Sequence, residues 1–503
     1  MDKFTRPVEV LSDSITMYVA TVCALSMITL TALVLSATGQ LGFDIADLAS
    51  TLAVLLLVSY SASRLFAWTF STQHNRESWL ITALILFLTL APGDSTLEYV
   101  KLALVASIAV ASKYLIAWRT RHIFNPAAIA LAIGSLSGLT SAFWWVGTPL
   151  LLPVVVVAGV LIVSKTRRYL LASTFTATAL ITSAIVALIS DYPLVDAIRL
   201  DLLSGPLVFF AAIMLTEPFT APATRGRQLI YATFVGILYS SQLPLVSMPS
   251  IALLIGNLLT FYFVVRTGDL RFKVTGVKKI APRTYELQAT PYSRLNYLAG
   301  QYTELSIPHP KQDSRGSRRI FSFASSPDEA TIRLTTRVPT GKSSSFKQVF
   351  TRIPVGATLR GSYIGGDFTL PEDASAPLVF IASGIGITPF RSMLAHMLAT
   401  KDTRQITLFY FVRATDDILY AKLLAQAERE LSVTVVFVVA QPSKTWQGEH
   451  GLPTKELFER YVTDISQHTV YISGSPTLVD SARAQLTGNY TPQRVVTDYF
   501  TGY

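Results

Sequence analysis

The pattern of apolar and polar positions changes character near residue 267. Before that point long apolar runs recur with short polar breaks, at roughly 16–37, 46–68, 78–92, 97–118, 125–140, 143–164, 168–190, 200–216, 228–246 and 249–266. Most approach the roughly 20 residues that cross a bilayer's hydrocarbon core. The third and fifth are shorter. The pattern predicts about ten spans in a polytopic α-helical region, 1–267. After Leu270 the period drops to two, in "RFKVTGVKKIA", "RTYELQAT", "TELSIP" and "TIRLTTRV". That alternation predicts a small antiparallel β-barrel over 268–376. From "PLVFIAS" onward apolar strands alternate with helical stretches, which predicts a parallel, doubly wound α/β sheet over 377–503.

Charge adds an orientation. Charged residues make up only 15% of the 503-residue chain, against about 25% in soluble proteins. With the N-terminus on the cytoplasmic side, the breaks on that side hold Lys3, Arg6, Arg64, Arg76, Lys113, Arg119, Arg121, Lys165, Arg167, Arg168, Arg225, Arg227 and Arg266. The opposite breaks hold Asp44, Asp47, Asp94, Glu98, Asp191 and Asp196, against Lys101 and Arg199. This is the positive-inside bias. It explains the net charge of +10 without a nucleic-acid partner. It also puts both termini and the C-terminal half in the cytoplasm; the expected location is the inner membrane of a prokaryote. The single cysteine, Cys23, excludes an internal disulfide and a cysteine-ligated iron–sulfur cluster. His74 and His122 sit at cytoplasmic ends of spans, so the stacked axial pairs of a membrane haem are not expected. No carboxylate falls mid-span, as an ion pump would require, and no metal site is expected.

The cytoplasmic half carries three ordered motifs. "RRIFSFASSP" contains Arg319, Phe321 and Ser322. Arginine binds phosphate, an aromatic ring stacks on an isoalloxazine, and a hydroxyl hydrogen-bonds the ring atom where hydride arrives. A plain strand with an exposed Arg and a core Phe is the competing reading. "RVPTGKSSSFKQVF" is a Gly/Ser turn opening a helix, suited to pyrophosphate or simply to capping. "PLVFIASGIGITPFRSML" runs a strand into glycines and then a helix, the geometry by which a dinucleotide approaches the backbone. With "YISGSPTLV" and the terminal "DYFTGY", the region resembles the ferredoxin–NADP reductase superfamily. The resemblance implies FAD held by Arg319, Phe321 and Ser322, with Gly341 and Ser344 near its pyrophosphate. It also implies NADH or NADPH lined by Gly384, Gly386, Thr388 and Pro389, with Gly474 and Pro476 near the nicotinamide. Phe500 would shield the flavin face and Ser322 would serve the hydride step. Arg413 would favour a 2′-phosphate and Asp416 and Asp417 would oppose it, a balance that leans to NADH.

Two stretches stand out in the apolar half, "RHIFNPAAIALAI" and "LLSGPLVFFAAIMLTEPFTAPATRGRQLIY". Asn125 suits a helix cap and Pro126 the first helical position. Thr220, Arg225 and Arg227 supply a hydroxyl and cations for an anionic cofactor. The two stretches resemble the membrane flavoprotein subunits of the sodium-pumping NADH:quinone oxidoreductase (B subunit) and of the Rnf complex (D subunit). That resemblance implies a urea-transporter-like helical fold with interrupted helices and a second flavin, FMN or riboflavin. The Asp-led Ala-Thr segment that carries a covalent flavin there is missing from "STFTATAL", so a non-covalent flavin is expected. The whole chain then reads as a membrane-bound NAD(P)H oxidoreductase that passes electrons to a membrane flavin, a quinone or an extracytoplasmic acceptor. A quinone reductase working at one face, and a solute channel with a regulatory reductase, are the alternatives.

Overall fold

The computed structural model describes residues 16–70, 77–118, 121–265, 270–310, 312–313, 316–341, 343–490, 492 and 494–500. Lys3, Arg6, His74, Arg76, Arg119 and Arg266, used above for orientation, lie outside the described residues. The chain divides into two compact units, 1–266 and 267–503.

The first unit is helical. Its helices are α1 (Met17–Ala37), α2 (Ile45–Thr69), α3 (Ser78–Thr89), α4 (Thr96–Leu115), α5 (Pro126–Leu136), α6 (Leu152–Thr166), α7 (Tyr169–Ile189), α8 (Leu194–Ser204), α9 (Leu207–Met214), α10 (Arg225–Ser240) and α11 (Pro249–Val265). Between α4 and α5 lies a small hairpin of β1 (Ala117–Trp118) and β2 (Arg121–His122). The expectation of ten spans is corrected. Among the described residues three helices, α1, α2 and α7, are long and apolar enough to cross a membrane, or four if the 58° bend between α8 and α9 joins one span. The reason is length and charge. Helices α3 and α5 have 12 and 11 residues. Helix α4 carries Glu98, Lys101 and Lys113, and α10 begins with Arg225 and Arg227.

These two short helices are largely enclosed. Residues Thr82 to Thr89 of α3 and Pro126 to Ala132 of α5 are all buried. A buried helix end must find partners for its free carbonyls. For α3, the Trp145 indole N–H donates to Phe87 O and Leu90 O, both at 2.9 Å, and the chain continues extended into a bridge from Leu90 to Ala142. By contrast the long helices leave Leu30, Val34, Leu57, Leu65, Ile181, Leu188 and Ile189 exposed.

The second unit is α/β. Strands β3 (Arg271–Ala281), β4 (Thr284–Pro291), β5 (Tyr302–Ser306), β6 (Arg318–Ser322), β7 (Ile332–Arg337) and β8 (Thr358–Gly365) form an antiparallel sheet in the order β6-β5-β8-β3-β4-β7. The expected barrel is corrected to a half-barrel: among the described residues the end strands β6 and β7 are not paired. Helix α12 (Ser345–Phe350) packs Phe346 and Phe350 into its core. The following sheet is parallel: β9 (Leu378–Ser383), β10 (Ile406–Val412), β11 (Val433–Val439), β12 (Glu449–His450), β13 (Thr469–Gly474) and β14 (Arg494–Tyr499), in the order β12-β11-β10-β9-β13-β14. Helices α13 (Ile387–Thr400), α14 (Ala421–Glu430), α15 (Lys455–Tyr461) and α16 (Pro476–Asn489) alternate with them. Strand β9 is buried on both faces. Leu378, Phe380 and Ala382 enter one core, and Val379 and Ile381 the other, which is why this strand reads as a continuous apolar run.

Candidate functional site

In the second unit the glycine turn lies where the parallel strands end. Gly384 takes a left-handed φ of +52°, and its carbonyl accepts from the Tyr410 hydroxyl at 3.0 Å. Gly386 stands against β13, where an added Cβ would overlap the carbonyl of Ser473. Gly474 mirrors it: a Cβ there would lie 2.5 Å from the Ser383 side chain. The two strand ends therefore close together only because both residues are glycine. Thr388, buried, donates to Ile385 O at 3.0 Å, and Pro389 is buried in the first turn of α13. Pro476 opens α16. Phe500 follows β14, and its N–H donates to Gly474 O at 2.8 Å. Thus Gly384, Gly386, Gly474 and Phe500, far apart in sequence, meet at one sheet edge. This cradle of bare backbone fits a dinucleotide.

The barrel-side residues are distributed differently. Phe321 lies in the core, its ring stacked on Phe350 at 5.3 Å and 12°. Strand β6 turns this side chain toward Phe346 and Phe350. Arg319 donates to Arg318 O at 2.6 Å and to Gly316 O at 3.3 Å, with its guanidinium 5.1 Å from the Phe346 ring. Ser322 is buried and registers with Tyr302. Ser344 caps α12, its hydroxyl accepting from Lys347 N–H at 3.3 Å. Gly341 takes φ +96° with open space around it. Arg413 is exposed and donates to Gln441 Oε1 at 3.2 Å. Asp416 is exposed, whereas Asp417 is buried in an ion pair with Arg337 at 2.9 Å, so only Asp416 is left to oppose a 2′-phosphate.

A polar lock that sequence reading missed joins the half-barrel to the parallel sheet. From α13, Arg391 donates to Ala324 O at 2.8 Å and to both oxygens of Glu329, and Ser392 donates to Ser325 O at 2.6 Å. Buried Glu286 accepts from Arg333 at 2.7 Å and from the Tyr420 hydroxyl at 3.0 Å, while Tyr420 also meets Thr335 at 2.7 Å. Burial alone would raise the Glu329 carboxyl, but Arg391, the Ser326 N–H and Arg333 outweigh it and hold it below its ordinary value.

In the first unit the two quoted stretches meet. Asn125 caps α5, its Oδ1 accepting from Ala128 N–H at 3.0 Å, while its Nδ2 donates to Glu217 at 2.9 Å. Thr220 donates to the same carboxylate at 3.1 Å and His122 Nε2 lies 2.7 Å from it. Buried Asn257 of α11 ties the pair down: its Oδ1 accepts from Asn125 N–H at 2.9 Å and its Nδ2 donates to Thr220 O at 3.4 Å. Arg121 donates to the carbonyls of Pro218, at 2.9 Å, and Phe219. Lys113, His122, Asn125 and Glu217 line a cavity whose walls include Ile81, Ile85, Ile162 and Ile213. Thr220 and Asn125 are thus brought together, but Arg225 and Arg227 do not line the cavity. Arg225 is exposed, and Arg227 sits over the Phe263 ring at 5.2 Å. The cation there is Lys113. His122, Glu217 and Lys113 were legible as charges beside the motifs; nothing in the sequence marks them as turned inward. Among the described residues no group of three or more His, Cys, Asp or Glu gathers as a metal site.

Residues 380–484 match the family model of the oxidoreductase NAD-binding domain. The reductase component of propane 2-monooxygenase from Rhodococcus jostii (strain RHA1) is 30% identical over 245 residues, covering 46% of this chain and 64% of that protein. The electron transfer component of anthranilate 1,2-dioxygenase from Acinetobacter baylyi (strain ATCC 33305 / BD413 / ADP1) is 30% identical over 222 residues, 42% of this chain and 61% of that protein. An NAD(P)H-flavin reductase of Vibrio harveyi is 28% identical over 227 residues, 44% of this chain and 92% of that protein. The chain thus spans about three fifths of the length of the first two relatives. Among solved structures, an Amycolatopsis cytochrome P450 reductase aligns with a TM-score of 0.42 at 26% identity, covering 46% of this chain and 69% of that one. The C-terminal region is thus similar to reductase components and to an NAD(P)H-flavin reductase, and its residues 380–484 match the NAD-binding domain of oxidoreductases.

Proposed function

We propose that this chain is a membrane-bound NAD(P)H oxidoreductase in which the C-terminal unit loads electrons and the helical unit receives them. The observation that carries the reading is the pairing, in one chain, of the glycine cradle at 384–386 and 474 with a helical unit that gathers Asn125, His122, Thr220 and Glu217 around a cavity. Bound FAD would supply hydride acceptance and release of electrons singly or in pairs. The chain's own residues do the rest. Gly384, Gly386 and Gly474 let the nucleotide reach the backbone, Arg319 and Gly341 stand for phosphate, and Ser322 and Phe500 border the ring. Arg413 and Asp416 then weigh NADPH against NADH, and the surviving acid keeps the lean to NADH.

The helical unit is read as embedded in a prokaryotic inner membrane, with its short helices α3 and α5 as interrupted spans. Exposed Leu and Ile on α1, α2 and α7 support lipid contact, since such surface suits hydrocarbon rather than water. The likeness of "HIFNPAA" and "TEPFTAPATRGR" to the membrane flavoprotein subunits supports a non-covalent second flavin or a quinone in the cavity. The donor set fits either: Lys113 for an electron-rich ring edge, isoleucines for its faces.

Liposomes with NADH trapped inside test the relay. The reading expects reduction of an impermeant external acceptor, at a rate that depends on the protein. Reduction only of a membrane quinone would restrict the enzyme to one face.

A further inference from the structure

The helical unit's cavity holds an acid–base pair that hydride transfer in the other unit does not use. Glu217 accepts from His122 at 2.7 Å, Asn125 at 2.9 Å and Thr220 at 3.1 Å. An amide and a hydroxyl fix the carboxylate, and the carboxylate orients the imidazole. The other titratable or charged groups facing the pair come from several elements. Lys113 of α4 donates to Ser78 O and Oγ, both at 2.8 Å, which leaves one of its three N–H groups. Arg121 of β2 serves the carbonyls of Pro218 and Phe219. Tyr231 of α10 meets Asn257 at 3.3 Å, and Tyr18 of α1 lines the cavity. Among the lining residues Lys113 and His122 stand beside the one carboxylate, Glu217. The cavity therefore suits a ring that gains negative charge between apolar walls.

We infer that His122, held by Glu217, is the proton donor to a planar acceptor in this cavity that takes up two electrons and two protons. The inference rests on the reading of the helical unit as the electron-receiving half. One NAD(P)H supplies both electrons and leaves as NAD(P)+. The N–H bond of the His122 imidazolium breaks as an O–H or N–H bond forms on the acceptor; the second proton is the one NAD(P)H oxidation releases. The neutral imidazole regains its proton from solvent. The sum is one NAD(P)H and one solvent proton consumed per acceptor reduced. Lys113 donates to the electron-rich edge. An isoalloxazine and a para-quinone share this chemistry, each offering carbonyl-bearing ring edges.

The test uses the full chain in lipid nanodiscs. Equilibrium binding of riboflavin and of a short-chain benzoquinone is followed without NAD(P)H, in separate arms that separate the two sources. Stopped-flow mixing with NAD(P)H then follows reduction of whichever binds, normalised to the rate of FAD reduction in the same trace. In the wild type the second step is expected to fall about tenfold per pH unit on the alkaline side of one ionisation. His122→Gln is expected to bind the same ligand, to slow its reduction by about 100-fold or more, and to lose the pH break. A His122→Gln chain that binds and reduces the ligand with the wild-type pH profile overturns the inference and leaves the relay standing. Should that variant not fold, a wild-type profile that is flat in pH, with no solvent deuterium isotope effect, overturns it equally. A wild-type chain that binds neither ligand and carries no second flavin overturns the relay itself.

Discussion

At the scale of single residues, two positions carry the clearest consequences. Gly386 has no room for a side chain because β13 passes directly behind it. Gly386→Ala must push the two strand ends apart, a cost of about 1–3 kcal/mol by analogy with overpacked cores. It is expected to weaken NAD(P)H binding more than FAD binding, which titration of each ligand separates. Asn125 does two jobs, capping α5 and holding Glu217. Asn125→Ala is expected to lower stability in detergent by about 1 kcal/mol for the lost cap and, beyond that, to deplete any flavin of the helical unit; unchanged flavin content would show that the motif serves the helix alone. The sequence made Asn125 and Thr220 legible because Asn-Pro and a threonine-rich turn are local signals. It hid Glu217, His122 and Lys113, since a charge at a span's end looks the same whether it faces water or turns into the unit. Phe321 packs on Phe350 in the core, a placement the motif left open. Strand alternation puts some motif positions inside, and the inward phase of β6 was not fixed by the motif.

At the scale of elements, apolar length was a good guide to where helices lie and a poor one to what they do. The runs at 78–92 and 125–140 looked like short spans. In the structure α3 and α5 end after 12 and 11 residues; α3 continues as extended chain with its end bonded by Trp145, and α5 runs into a turn at Ser137 and Gly138. Periodicity cannot separate a span from a buried half-helix of this length. The alternation of β3 to β8 gave the antiparallel sheet but not its missing closure, because β6–β7 pairing depends on the sheet's curvature. Between half-barrel and parallel sheet, Tyr420 bridges Glu286 and Thr335. Tyr420→Phe leaves the buried Glu286 short of one donor, a cost of about 1–3 kcal/mol. Chemical denaturation should show this as a lower midpoint with an unchanged slope.

At the scale of the whole molecule, the electrostatics of the C-terminal unit sets an acid limit. Glu329 has a carboxyl held below its ordinary value in the folded state, despite its burial, by Arg391, the Ser326 N–H and Arg333. A depressed folded value stabilises the fold above the unfolded value of about 4.3 and loses that contribution as pH falls through the folded one. The wild-type unit should therefore destabilise on acidification below about pH 4, and Glu329→Gln should flatten that loss while lowering stability at neutral pH. The larger claim is that the two halves form one electron path. A cofactor census of the purified full-length protein tests it most directly: flavin counted per chain, before and after acid precipitation, with quinone extracted alongside. The account predicts more than one flavin per chain, or one flavin with bound quinone, all released without covalent attachment. A single flavin that stays wholly with the 270–503 region, with no quinone and no second redox group on the helical unit, would contradict it.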